Sequence, residues 1–174
     1  MDQIMKEAIS GQFLSAIDML GNAVRACPDT LWEVRLWDDP QLPRSAEFWY
    51  IVYHTLFWLD LYLSGSVEGF APPAPFTLDE LDPAGILPDR AYTREELLAY
   101  LAHTRAKCER TVAILTDAQA ARICSFPWGQ IPFAGLLLDN MRHVQEHTAQ
   151  LNLILGQKVH WNPKWVTHAS KPAS

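Results

Sequence analysis

Apolar residues recur at three- and four-residue steps over four long stretches of the chain, with polar residues in many of the gaps. That period marks amphipathic helices that turn one face to a core. The first stretch, residues 2–26, carries Ile4, Ala8, Phe13, Ile17, Leu20 and Val24 and stops at Cys27-Pro28-Asp29. The second, 44–64, is apolar on more than one side, with Phe48, Trp49, Ile51, Val52, Leu56, Phe57, Trp58 and Leu61. It should be the most buried helix, with Ser45 as its N-cap and Ser64-Gly65 as its stop. The third, 93–115, opens on Thr93 and Glu96 in the spacing of a capping box. The fourth, 133–155, has Gly156 where a C′ glycine belongs.

The connections are long. Residues 30–43 hold Trp32, Trp37, Pro40 and Pro43, and the two tryptophans read as a lid over one end of the helices. Residues 65–89 hold five prolines and three glycines, so they cannot be helical throughout. A loop of that length in a compact domain often has a function, and here it would cover one end of the helices. Residues 118–132 break with Pro127, Gly129 and Pro132. The last eighteen residues, 157–174, read as a tail folded back on the core and fraying after Val166. No β alternation of useful length and no internal repeat interrupts this pattern. The expected fold is all-α: a single domain spanning 1–174, with a four-helix bundle at about 4–156.

Composition narrows the function. The chain has 174 residues, about half of them hydrophobic, with seven tryptophans, which is ample for one well-buried core. A net charge of −6 argues against binding a nucleic-acid backbone. No apolar stretch is long enough to span a bilayer, because His54 and Asp60 interrupt the best candidate at 51–63. Cys27, Cys108 and Cys124 are scattered and form no CxxC pair, the pattern of reduced packing thiols in a cytoplasmic protein.

The candidate chemistry lies in the fourth helix. His143 and His147 are one turn apart, about 40° from each other around the axis. Leu137, Val144, Leu151 and Ile154 put the core beside them. Two imidazoles on one helix face can offer two nitrogens to one metal ion. His54, central in the second helix, is the expected third ligand, since residues at matching depth on neighbouring bundle helices meet. Three imidazoles without a fourth protein ligand leave a position for water or substrate. Asp139, one turn before His143, would orient a ligand or act as a general base, and Glu47 and Tyr50 would approach from the second helix. Glu146 and Gln150 lie near the same face and read as solvated residues. His103 reads as surface, and His160 and His168 as tail residues outside the site.

The segment Arg142-His143-Val144-Gln145-Glu146-His147-Thr148-Ala149-Gln150-Leu151-Asn152 resembles the DinB-like superfamily, the damage-inducible, YfiT-type bundle proteins. His54 in its aromatic-rich helix, the Ala26–Trp32 segment and the Phe126-Pro127-Trp128-Gly129 turn are similar too, and the likeness runs over about residues 4–156. It implies an up-down-down-up four-helix bundle holding a divalent metal, most often zinc or nickel, on three histidines: here His54, His143 and His147. Many relatives carry histidine where this chain has Glu146. Known activities in the superfamily include thiol-dependent transferases and isomerases and related hydrolases, and homodimers are frequent.

Two readings follow. One is a metal-dependent transferase or hydrolase that activates water or a low-molecular-weight thiol against a small-molecule substrate, with Asp139 or Glu47 as proton acceptor. The other is a metal-binding or metal-free bundle that acts by protein interaction.

Overall fold

The computed structural model describes residues 2–170, so the last four residues of the expected tail lie outside it. Four main helices are present: α1 (Gln3–Ala26), α2 (Phe48–Ser64), α3 (Arg94–Ala113) and α5 (Phe133–Val159). A short helix α4 (Asp117–Ala121) and a hairpin of β1 (Ile123–Phe126) and β2 (Gly129–Pro132) lie between α3 and α5. Both α1 and α2 pack on α3 and on α5, so α1 and α2 stand diagonally across the bundle. That arrangement makes α2 and α5 neighbours and brings their histidines within reach of each other.

The helix α2 is buried almost all round, as its apolar composition predicts. Every residue from Phe48 to Leu63 is buried except His54 and Trp58. These two are one turn apart, so they mark the one strip where α2 approaches the surface. Behind them, Trp49, Tyr53, Leu56 and Phe57 are fully enclosed, with Phe13, Ile17 and Leu20 of α1 and Leu97 and Tyr100 of α3 in the same core.

Several helix ends differ from the pattern-based expectation. The second helix starts at Phe48 and not at Arg44, because Pro43–Ala46 forms a 3-10 turn and the chain around Glu47 is extended. The connector holds it there: Leu36 N donates to Ala46 O and Phe48 N to Val34 O. Ser45 therefore caps nothing, and its hydroxyl bonds Leu42 O and Asp39. The stop is as expected, with Gly65 at φ +70°, where an added Cβ would strike Arg122 and Phe133. The third helix has the expected capping box between Thr93 and Glu96.

The last helix runs on past Gly156 to Val159, and His160 at φ 55° takes the left-handed cap position instead. The stretch read as an irregular break contains α4 and the hairpin, whose strands are too short to show a period. Of the two connector tryptophans, Trp32 is buried against Phe48 and donates to Tyr92 O, whereas Trp37 is exposed. The tail does not end its contacts at Val166, since Ser170 is bonded to Asp18 and Arg105. Among the described residues, no helix is long and apolar enough to cross a membrane.

Candidate metal centre

The packing of α2 on α5 sets His54 against His143 and His147. Ring centroids are 5.3 Å apart for His54 and His143, 5.0 Å for His54 and His147, and 4.5 Å for His143 and His147. One nitrogen from each lies within 4.8 Å of the others, and this trio is the one group found among the described residues that could hold a metal. His54 Nε2 and His143 Nε2 face each other at 3.3 Å. Two nitrogens bound to one tetrahedral zinc at about 2.0–2.1 Å would be about 3.4 Å apart. That pair is already at the spacing a divalent ion needs, and His147 offers its nitrogen within 4.8 Å of both.

The protonation states fit as well. His54 Nδ1 lies 2.8 Å from Glu80 Oε2, a carboxylate oxygen that can only accept, so Nδ1 carries a hydrogen and Nε2 is left as the nitrogen a metal would use. His147 Nδ1 lies 2.8 Å from Gln150 Oε1, which frees its Nε2 in the same way. Burial, reinforced by the His54 and His147 rings, pushes His143 down to about 2, so it is neutral near pH 7. Burial also lowers His147. His143 Nδ1 is buried without a partner. Metal ligation by Nε2 uses the lone pair that a neutral imidazole offers.

Of the residues expected around the histidines, Gln150 is in contact with His147 and the two carboxylates are engaged elsewhere. Asp139 is half-buried and pairs with Arg142 at 3.4 Å. Glu47 is buried, accepts from Trp49 Nε1 at 2.5 Å and lies 3.8 Å from Arg44. Tyr50 does flank the site, stacked on His54 with centroids 6.4 Å apart. His103 is half-exposed near Asp60 and distinct from the trio.

The residue that sequence reasoning missed is Glu80. It sits in a 3-10 turn, Asp79–Leu81, inside the long proline-rich loop. Its Oε2 also accepts from Trp58 Nε1 at 2.8 Å, so the two α2 residues that reach the surface share one carboxylate oxygen. Burial works against the Glu80 carboxylate, yet bonding and charge from His54, with bonds from Tyr50 and Trp58, hold it below the usual glutamate range. The only available signal was the length of the loop, which marks a segment and not a residue.

The cysteines take no part. All three are free and buried, and burial pushes Cys27 and Cys108 up to about 12, far from a reactive thiolate. The cavity of about 410 Å³ beside Trp32, Tyr92 and Arg94 has none of the three histidines in its wall.

The chain matches no curated protein. A family model described as the DinB superfamily matches residues 9–151, which takes in most of each of the four main helices and all three histidines. With most of its length matched, this chain belongs to the DinB superfamily.

Proposed function

We propose that the chain is a metal-dependent enzyme, a transferase or hydrolase acting on a small electrophilic molecule, with zinc or nickel on His54, His143 and His147. The observation that supports this is the convergence of three imidazole nitrogens with no fourth protein donor in the group among the described residues. When bound, the ion supplies a Lewis acid that makes a water or low-molecular-weight thiol acidic enough to attack near neutral pH.

The chain's own residues would do the rest. Glu80 and Gln150 fix the ring proton of His54 and His147 on Nδ1 and so aim Nε2 inward. His54 and Trp58 are partly exposed, so a reactant would approach from that side. Asp139 is the better proposed proton acceptor of the two carboxylates, since among the described residues its one bond is a long one to Arg142 at the surface. Glu47 would first have to release Trp49. A second reading is a non-catalytic metal-binding or metal-free bundle that binds another protein, and the exposed Leu138 and Leu153 on α5 favour it.

Elemental analysis of the purified, untagged protein, before and after zinc or nickel reconstitution, tests the first reading. About one ion per chain in the wild type and none in His54→Ala is expected. Assays for thiol transfer and for hydrolysis would follow. No ion after reconstitution, or an ion retained by the variant, would sink the three-histidine centre and leave the interaction reading.

A further inference from the structure

We propose that Glu80 is the positioning residue of His54, and that through it the loop of residues 65–93 is fastened to an occupied metal centre. The inference rests on the metal reading above.

Three observations carry it. The Glu80 side chain is only 5 % exposed, and no lysine or arginine pairs with it among the described residues. Its other oxygen, Oε1, is buried without a well-formed hydrogen bond, and the neutral Tyr50 hydroxyl beside the carboxylate brings no charge to it. An ionised carboxylate so enclosed is costly unless positive charge stands nearby. Among the described residues, the basic group bonded to it is His54, whose Nδ1–H it accepts at 2.8 Å. A cation on the opposite ring nitrogen would polarise that N–H toward the carboxylate. The carboxylate would in turn make the imidazole a stronger ligand.

Glu80 is also held from behind. Phe76, four residues earlier in the loop, stacks on Tyr100 at 4.3 Å and on Tyr53 at 6.0 Å, and meets Tyr92 edge-on at 4.7 Å. Tyr53 Oη donates to Thr77 O at 3.3 Å. These contacts fix the backbone on which the carboxylate is mounted. Trp58 Nε1 then fixes which oxygen meets His54. Because the loop presents Glu80 and Glu80 orients the ligand, the two equilibria are linked. Whatever tightens metal binding through Glu80 must tighten the loop by the same factor.

The test uses zinc as probe. Zinc affinity is measured for the wild type, Glu80→Gln and Glu80→Ala by competition with a chromophoric chelator. Urea midpoints of the metal-free proteins serve as the folding control. Glutamine can accept the same two hydrogen bonds through its amide oxygen but carries no charge. Glu80→Ala should lose about 10–100-fold in zinc affinity, with Glu80→Gln between it and the wild type. Amide exchange over residues 77–82 should slow on adding zinc to the wild type and not in zinc-saturated Glu80→Ala. Wild-type zinc affinity in both variants would overturn the inference and leave the metal reading standing. So would a fall in urea midpoint alone, with affinity intact, since that is a purely structural role. If Glu80→Ala does not fold, Glu80→Gln decides. A wild type that binds neither zinc nor nickel removes the metal reading and this inference together.

Discussion

Asp60 lies in the last third of the most apolar helix and is 1 % exposed, so its charge needs a partner inside the bundle. Lys107 of α3 supplies it, with Nζ 2.5 Å from Asp60 Oδ1 and 2.7 Å from Ser64 Oγ. Tyr100 Oη donates to the other oxygen at 3.1 Å. Lys107→Met would leave a buried carboxylate without its cation, and about 3–5 kcal/mol of stability should go with it. Urea denaturation measures this, and Asp60→Asn combined with Lys107→Met should recover much of the loss. A loss below about 1 kcal/mol, the size of an exposed pair, would mean that Tyr100 and His103 suffice. Neither this pair nor that of His54 with Glu80 was legible in the sequence. Each depends on which faces meet in space, and nothing in the local pattern around Asp60 or Glu80 specifies a partner. His143 and His147 were legible because their relation is set inside one helix by the four-residue step.

At the level of elements, interiors were legible and ends were not. The periods over α1, α2, α3 and α5 persist for several turns, so a residue or two of error hardly weakens them. The start of α2 was decided instead by backbone bonds from the connector, and the end of α5 by His160. The hairpin escaped notice because four residues per strand show only two alternations, Cys124 and Phe126 inward. Its turn depends on Gly129 at φ +144°, a conformation that side chains rarely adopt, although a Cβ there would meet nothing within 4 Å. Gly129→Ala therefore isolates the backbone cost and should destabilise by about 1–3 kcal/mol. Gly11 in α1 has equal space and an ordinary backbone, so Gly11→Ala should instead stabilise by about 0.5–1 kcal/mol. Thermal unfolding of the two variants reads the difference. Changes of the same sign would show that space, and not φ, governs the hairpin turn.

Across the whole molecule, the tail closes one seam of the bundle. Asp18 of α1 accepts from Arg105 of α3 at 2.8 Å, and from the backbone and hydroxyl of Ser170 at 2.6 and 2.7 Å. One carboxylate thus joins two helices and the end of the described chain. Burial by itself would raise the Asp18 carboxyl, but the bonds from Arg105 and Ser170 outweigh it and hold the group below its ordinary value of 3.8. A carboxyl lowered by folding adds stability in full above its unfolded value and loses it as the pH falls through the folded one. The wild type should therefore be more stable than Asp18→Asn by a constant margin from pH 7 down to about 5. That margin should shrink below 3.8, as the wild-type carboxylate takes up its proton. Other carboxylates, Glu80 among them, titrate in both proteins and cancel in the difference. Thermal midpoints of the two proteins, taken in parallel at each pH, give the curve. A margin that persists unchanged well below pH 3.8 would show that the shape of the Asp18 side chain, and not its charge, holds the tail.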